Sequence, residues 1–186
     1  MCNRLCKPQK VVLYGKKIIL RNPKMGDVKT LVDFINSLVE EDALILVNKT
    51  ITFQEEKKWV KENLELCRKG EQHLLVAMYK KEVVGTMGLH RGKWRQSHVG
   101  TIGVSVKKSY RGIGLGTLLM KTAIGLAKKD PKIKILTLDV YEPNKIARKL
   151  YEKLGFKSVA KLSKRDLYKG KYISHIVMEY PLNKIK

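Results

Sequence analysis

The chain has 186 residues, 44% of them hydrophobic, and its 39 Lys and Arg residues outnumber its 17 Asp and Glu residues to give a formal net charge of +22. This length predicts a single domain with its own core, and the spread of apolar residues along the chain argues against intrinsic disorder. No run of about 18 apolar residues occurs and no secretory signal follows the first residues, so we expect a soluble cytoplasmic protein without a membrane partner.

The first part of the chain predicts a strand hairpin and two helices. Residues 9–21 carry β-branched runs on both sides of a glycine turn, as a hairpin does. Apolar residues recur at helical spacing over residues 28–41, and Asp27 is the expected N-cap. Thr52 and Glu55 have the spacing of a capping box, which predicts that a second helix begins there.

The rest of the chain predicts further strands and two more helices. A long helix follows the predicted strand at residues 98–106 and ends at Asp130–Pro131, because proline cannot continue a helix. A shorter helix is expected from Asn144 to Leu154. The predicted strands of this part are residues 73–80, 82–90, 98–106, 135–140, 156–163 and 171–180.

The order of these elements predicts the fold class. Strands and helices do not alternate one by one, so a doubly wound dinucleotide fold is disfavoured. We expect an α/β (α+β) fold with a mixed, mainly antiparallel sheet. No linker or internal repeat divides the chain, which predicts one domain over residues 10–182 behind a polar N-terminal extension at residues 1–9.

The cysteine content argues against covalent and metal cross-links. The three cysteines, Cys2, Cys6 and Cys67, are odd in number and contain no CxxC pair. This pattern disfavours both a disulfide framework and a zinc site. We therefore expect free thiols and no metal.

The strongest chemical signal is a glycine-rich loop that precedes the long helix. Gly112, Gly114 and Gly116 let the backbone bend tightly and bring N–H groups close to a ligand. The N-terminus of the following helix offers unpaired donors and a partial positive charge, which suit a phosphate or a pyrophosphate. Arg111 adds a guanidinium and Thr117 adds a hydroxyl.

Other nucleotide-binding loops differ from this one in spacing. A dinucleotide fingerprint needs a glycine at the sixth position counted from Gly112, where this chain has Thr117. A P-loop needs a Gly-Lys-Ser/Thr run, which this segment lacks. A plain glycine turn between a strand and a helix remains open at this point.

Two motifs in tandem resemble those of the GNAT acetyltransferase superfamily. Arg111-x-x-Gly114-x-Gly116 resembles the family's R/Q-x-x-G-x-G/A signature, and residues 144–156 resemble its second motif, a helix that ends in Tyr-Glu-Lys-Leu-Gly-Phe. The motifs stand in the family's order and are nearest to those of N-terminal alanine acetyltransferases of the ribosomal-protein type. The resemblance covers roughly residues 18–180.

This resemblance implies a GNAT fold, with a mostly antiparallel central sheet of about seven strands flanked by four helices. It implies that the sheet splays between its fourth and fifth strands, here residues 98–106 and 135–140, where acetyl-CoA binds. A plain helix N-cap is the alternative role for Asn144, and a core aromatic is the alternative for Tyr151. The residues implied to bind acetyl-CoA are Val104, Ser105, Val106, Arg111, Gly112, Ile113, Gly114, Leu115, Gly116, Thr117, Asn144 and Tyr151.

The reaction implied by the resemblance is direct attack of an amine on the thioester of acetyl-CoA. Tyr151 is then the acid that protonates the leaving thiolate, and a backbone N–H near residues 104–106 meets the oxyanion. Asp139 matches the position of the family's glutamate base, and its shorter side chain calls for a bridging water. A surface carboxylate paired with a lysine is the alternative for Asp139. The other candidate bases are Glu40, Glu41, Asp42 and His98.

The acceptor is predicted only by class. An α-amino group with a pKa of about 8 is roughly one-tenth neutral at pH 7, whereas a lysine with a pKa of about 10.4 is almost fully charged. This favours a protein or peptide N-terminus. The alternatives are a small amine (polyamine, amino acid or antibiotic) and a non-catalytic basic module that binds CoA or RNA.

The net charge of +22 suits a polyphosphate ligand and would also suit a ribosome or nucleic-acid contact. No RNA-binding motif accompanies the charge, so that contact has no support from a motif. We expect a monomer or a homodimer.

Overall fold

A computed structural model describes residues 7–182, so Cys2 and Cys6 and most of the predicted N-terminal extension lie outside the described residues. Within this range the chain forms two compact units. The first comprises residues 7–90 and 103–123, and the second comprises residues 91–102 and 124–182. The domain predicted over residues 10–182 stays a prediction.

The described residues form eight strands and four helices, and the mixed, mostly antiparallel α/β architecture is confirmed. None of the helices within residues 7–182 is long and apolar enough to cross a membrane. The helices are α1 (Val28–Glu40), α2 (Phe53–Arg68), α3 (Leu115–Lys129) and α4 (Lys145–Lys153). The strands are β1 (Gln9–Leu13), β2 (Lys16–Arg21), β3 (Gln72–Tyr79), β4 (Glu82–Arg91), β5 (Val99–Val106), β6 (Ile135–Tyr141), β7 (Lys157–Tyr168) and β8 (Lys171–Pro181).

In the first unit the strands follow the chain in sheet order. β1 to β4 pair antiparallel in succession, and the end of β5 follows β4. β1 and β2 form the predicted hairpin, whose turn residues Tyr14 and Gly15 have φ values of 46° and 74°. Positive φ at both positions is what a two-residue hairpin turn needs. The core of this unit joins α1 and α2 to β3 and β4 through Val28, Leu31, Phe34, Leu38, Val60, Val76, Met78 and Val83.

Asp27 is the N-cap residue of α1, as predicted, but its side chain makes no capping hydrogen bond to the helix. Its carboxylate instead accepts hydrogen bonds from the Arg21 guanidinium at 2.6 and 2.8 Å. The backbone N–H of Lys24 donates a third bond at 2.7 Å. A 3₁₀ turn, Met25–Asp27, intervenes before the helix. The carboxylate therefore ties the start of α1 to the end of β2.

The capping box of α2 is confirmed. The Thr52 hydroxyl accepts a hydrogen bond from the Glu55 N–H at 3.3 Å, and the Glu55 carboxylate accepts one from the Thr52 N–H at 2.8 Å. Near the other end of α2, Cys67 is buried as a free thiol, as expected. Burial raises the pKa of that thiol.

In the second unit β6 lies between the start of β5 and β8, and β7 lies beyond β8. β6 and β8 are antiparallel, as are β7 and β8, whereas β5 and β6 are parallel. The parallel register covers three residue pairs, from Val99 with Ile135 to Thr101 with Thr137. The predicted splay between these two strands stays a prediction.

β7 is longer than predicted. Its predicted end is residue 163, but it continues to Tyr168 across a register irregularity between Leu162 and Asp166. Lys164 lies within the irregularity and has a φ of 53°. The charged run that contains Lys164 lacks the alternating apolar pattern of a strand, which is why the sequence did not predict this part.

Candidate active site

The glycine-rich loop belongs to the first unit and has the geometry of an anion site. Gly112 and Gly114 have φ values of 77° and 85°, a conformation that side chains other than glycine rarely adopt. A Cβ atom at either position would meet no other atom within 4 Å, so the glycines serve the backbone conformation and leave open space above it.

Helix α3 begins directly after the loop. Its first bond runs from the Leu118 N–H to the Gly114 carbonyl oxygen at 3.0 Å. The N–H groups of Leu115, Gly116 and Thr117 therefore have no acceptor within the helix. Leu115 is buried, whereas Gly116 and Thr117 are half-buried. These donors together with the open glycine backbone fit the diphosphate of a coenzyme.

Arg111 stands at the entrance of this loop and is exposed. Its Nε donates a hydrogen bond to the Val106 carbonyl oxygen at 2.9 Å, and its guanidinium forms an ion pair with Glu41. The Glu41 side chain is only 12% exposed. The ion pair links the residue after α1 to the loop entrance, a contact that the sequence did not predict because 70 positions separate the two residues.

The predicted cofactor strand, residues 104–106, forms the end of β5 and is half-buried. The Lys107 N–H donates to the Val84 carbonyl oxygen at 3.0 Å. A Cβ atom on Gly85 would lie 3.1 Å from the Ser105 carbonyl oxygen and 3.4 Å from the Leu115 side chain. The absence of a side chain at Gly85 thus lets β4 approach the cofactor strand and the start of α3 closely.

Asn144, in the second unit, is the N-cap of α4, which was its alternative role. Its Oδ1 accepts a hydrogen bond from the Ala147 N–H at 3.2 Å. The side-chain amide keeps both N–H donors of its nitrogen, because the cap uses only the oxygen. A cap in this arrangement still has donors to offer a ligand.

Tyr151 lies seven residues after Asn144 on the same helix, which corresponds to about two helical turns. It is half-buried, and burial raises the pKa of its hydroxyl. Its ring packs against Phe156 with the centroids 6.2 Å apart. Within residues 7–182 no other group forms a hydrogen bond with the hydroxyl.

Asp139 is exposed on β6, on the face opposite the buried Leu138 and Val140. No lysine among the described residues pairs with it. Of the other candidate bases, Glu40 and His98 are exposed. The remaining two are Asp42, which has a φ of 52°, and Glu41, which is engaged with Arg111.

A tyrosine–histidine–aspartate cluster in the second unit was missed by the sequence analysis. Tyr141 and His175 are register partners on β6 and β8, and their ring centroids are 4.5 Å apart. The Nε2 of His175 lies 2.9 Å from Oδ2 of Asp166. Burial and the charge of Asp166 raise the pKa of Tyr141. The β7 irregularity brings Asp166 to this position. No sequence pattern predicted the irregularity, which is why the cluster was missed.

A cavity of about 520 Å³ in the first unit was also missed. α1, α2 and the segment that joins them form most of its wall, and Thr86 of β4 completes it. The joining segment is held in place because Asn36 donates to the Ile51 carbonyl oxygen at 3.0 Å and accepts from the Ile51 N–H at 2.8 Å. Because the lining residues come from distant positions, the sequence alone could not assemble them.

Residues 7–182 contain no group of three or more His, Cys, Asp and Glu side chains placed to hold a metal ion.

Comparison with known proteins identifies related sequences. The model of the acetyltransferase (GNAT) family matches residues 37–156. The L-amino acid N-acetyltransferase AaaT of Escherichia coli (strain K12) is 29% identical over 105 residues, or 56% of this chain. That match spans 65% of the length of the curated relative.

Solved structures share the fold. A ribosomal-protein-alanine N-acetyltransferase from Brucella melitensis matches with a TM-score of 0.76 and 21% identity, over 87% of this chain and 98% of its own. The protein yncA of Salmonella typhimurium, solved with its cofactor acetyl-CoA, matches with a TM-score of 0.77 and 20% identity, over 91% of this chain and 96% of its own.

Proposed function

The chain belongs to the acetyltransferase (GNAT) family, and on that premise we propose that it transfers the acetyl group of acetyl-CoA to a primary amine by direct attack. The observation that carries the proposal is the loop at residues 112–117. Its two left-handed glycines and the open helix N-terminus behind them fit a diphosphate. The acetyl-CoA bound in the yncA structure supports the choice of ligand.

The loop and the neighbouring residues have the following proposed roles in binding the cosubstrate. The N–H groups of the loop hold the diphosphate, and Arg111 adds positive charge at the entrance, which it shares with Glu41. The backbone of Val104, Ser105 and Val106 binds the amide-rich arm of the coenzyme as an added strand would. The side-chain amide of Asn144 donates to the same arm.

The chemical step needs an oxyanion partner and a proton donor. The amine nitrogen attacks the thioester carbonyl carbon, and a backbone N–H of residues 104–106 stabilises the oxyanion that forms. When the carbon–sulfur bond breaks, Tyr151 donates its phenolic proton to the departing thiolate. The attacking nitrogen loses its extra proton to solvent, and solvent reprotonates the phenolate. A phenol with the ordinary pKa of about 10 is protonated at neutral pH, and burial raises the pKa of Tyr151, so the proton is available for transfer.

The step also needs a neutral amine. Asp139 accepts the proton of the ammonium group through a bridging water before the attack. Its exposed position without an ion pair among the described residues supports this assignment over a structural one.

The proposed acceptor is the α-amino group of a protein or peptide N-terminus. At pH 7, deprotonation of an α-ammonium group to the neutral amine costs about 1.4 kcal/mol, whereas deprotonation of a lysine side chain costs about 4.6 kcal/mol. A water-bridged carboxylate is therefore better matched to the α-amino group. A small amine is the second candidate, favoured by the E. coli relative, which is an L-amino acid N-acetyltransferase.

The test measures acetyl-CoA-dependent thermal stabilisation and then CoA release with peptides and small amines. We expect acetyl-CoA to raise the melting temperature and α-amines to turn over faster than lysine side chains. Stabilisation without turnover on any amine would favour a non-catalytic CoA-binding module.

Asp139→Asn tests the proposed base. We expect the acidic limb of the pH profile of kcat/KM to lose the contribution of the carboxylate, because the variant has no carboxylate to ionise at that position, while the contribution from protonation of the acceptor amine remains. Glu152→Gln, an exposed substitution on α4, is the matched control and keeps the limb. An unchanged profile for Asp139→Asn would assign the proton to another group or to bulk water.

A further inference from the structure

The α1–α2 cavity combines a mostly apolar wall with one buried carboxylate. Leu31 and Phe34 of α1 are 3% and 2% exposed, and Trp59 of α2 stands at the cavity with 41% of its surface exposed. Leu46, on the joining segment, is 80% exposed and also lines the cavity. The volume of about 520 Å³ lies within the usual range of small-molecule sites.

The carboxylate belongs to Glu56, which is only 6% exposed and lines the same cavity. Within the described residues no side chain pairs with it and no donor reaches it. Burial raises its pKa. The carboxylate oxygens are not sealed within the protein, and an ammonium group from a ligand in the cavity would stabilise their charged form.

The cavity reaches β4, which is the neighbour of the strand that is proposed to hold acetyl-CoA. Thr86 lines the cavity and follows Gly85 on β4. Gly85 packs so closely that an added Cβ would come within 3.1 Å of the Ser105 carbonyl oxygen. Strand β4 therefore lies between the cavity and the predicted cofactor strand, and the residues named here belong to the first unit.

We propose that this cavity receives the acceptor, that the acceptor carries a large apolar group beside its amine, and that the Glu56 carboxylate pairs with its ammonium group. The inference rests on the proposed function and names the acceptor class of that reaction. A leucine- or phenylalanine-sized group covers the apolar wall, whereas a polyamine would place several positive charges against an apolar surface and near Lys49, which also lines the cavity. Small acceptors such as glycine leave the wall exposed to water.

Binding is measured without turnover through the fluorescence of Trp59. The sequence has two tryptophans, so Trp94→Phe leaves Trp59 as the only one. Trp94 is 90% exposed and does not line the cavity. We expect L-leucinamide to change the Trp59 emission with a Kd at least tenfold lower than that of glycinamide, and spermidine to leave the emission unchanged. Equal affinities, or tighter binding of spermidine, would overturn the proposal.

Turnover with matched peptides tests the roles of the two residues. With an N-terminal leucine peptide, Glu56→Gln should lower kcat/KM at least tenfold through a higher KM for the peptide. Glu62→Gln, exposed on the same helix, should stay within twofold of wild type. Trp59→Ala should reduce the preference for leucine over glycine peptides at least fivefold, whereas Trp94→Ala should keep it. An unchanged KM in Glu56→Gln together with an unchanged preference in Trp59→Ala would refute the assignment.

The two proposals fail in distinguishable ways. If the amides bind as expected but no amine is acetylated, the proposed function is wrong, and the cavity is a binding site for apolar amines that are not acceptors. If peptides are acetylated at rates independent of the first side chain, the proposed function stands and the cavity assignment is wrong.

Discussion

The Tyr151 hydroxyl has no hydrogen-bond partner among the described residues, although its ring is packed against Phe156. Tyr151 is half-buried and its hydroxyl is not enclosed by the protein, so the hydroxyl is accessible to a ligand. Its raised pKa keeps it in the protonated form that a general acid must have at the start of the reaction.

Tyr151→Phe separates this role from packing. Because the ring is retained, we expect the fold and the acetyl-CoA affinity to stay near wild type, while kcat falls by about 100-fold or more. Steady-state kinetics and a binding titration measure the two effects. A wild-type kcat in the folded variant would remove Tyr151 from the role of acid.

Single residues were predictable where a local pattern determines them. Thr52 caps α2 as the capping-box spacing indicated, and Asn144 caps α4, which was its alternative role. Arg111 was found by its motif, but its ion pair with Glu41 depends on tertiary folding and leaves no local signal. Glu56 was not predicted as a site residue, because a sequence does not show which carboxylate is buried.

At the scale of elements, the junction of β2 and α1 depends on the pair between Arg21 and Asp27. The two side chains are 18% and 11% exposed, so the pair is shielded from solvent. Burial alone would raise the pKa of Asp27, but hydrogen bonds from Arg21 and from the Lys24 N–H lower it below its usual value. The folded state therefore stabilises the charged carboxylate of Asp27 more than the unfolded state does.

Asp27→Asn should lower the free energy of unfolding by about 2 to 3 kcal/mol at pH 7. Since the folded pKa is depressed, the wild-type advantage is present above the unfolded pKa of about 3.9 and is lost as the pH falls through the folded pKa. Urea unfolding at several pH values measures the difference between variant and wild type. Asp33→Asn, exposed on α1, is the control and should change stability little. A difference that stays constant down to pH 2 would contradict this account.

Elements with strong periodicity were predictable and those with mixed signals were not. The amphipathic helices α1 and α2 begin where expected, because apolar spacing and capping residues agree. The end of β7 was missed because it crosses an irregularity within a charged run. The segment between α1 and α2 has no regular structure, so its role as a cavity wall could not be predicted from propensity.

At the scale of the whole molecule, the net charge of +22 raises the local concentration of anions. Acetyl-CoA carries several negative charges, so its capture benefits from this field. The effect weakens as the Debye length shrinks from about 30 Å at 0.01 M salt to about 8 Å at 0.15 M.

We therefore expect kcat/KM for acetyl-CoA to fall at least threefold when the ionic strength rises from about 0.01 M to about 0.15 M. KM for an uncharged amine acceptor, measured at saturating acetyl-CoA, is the control and should stay nearly constant. A kcat/KM for acetyl-CoA that does not depend on salt would mean that the positive charge serves another purpose.

The fold class and the two motifs were predictable because each is encoded in contiguous residues. The residues that line the proposed acceptor site could not be predicted, since they come from α1, α2 and β4 and the selectivity of the site depends on which of them are buried. The sequence-based prediction and the structure agree best at the loop of residues 112–117. There the glycine spacing, the backbone conformation and the start of α3 all indicate an anion site.

Calorimetric titration of acetyl-CoA into Gly114→Ala, with Gly125→Ala as control, tests that loop most directly. Alanine disfavours the left-handed conformation of Gly114 by about 1 to 2 kcal/mol, and the bound loop requires that conformation, so we expect about 5- to 30-fold weaker binding. Gly125 lies within α3, has no positive φ and has open space at its Cβ, so its variant should bind like wild type. Wild-type affinity in a folded Gly114→Ala protein would contradict the account.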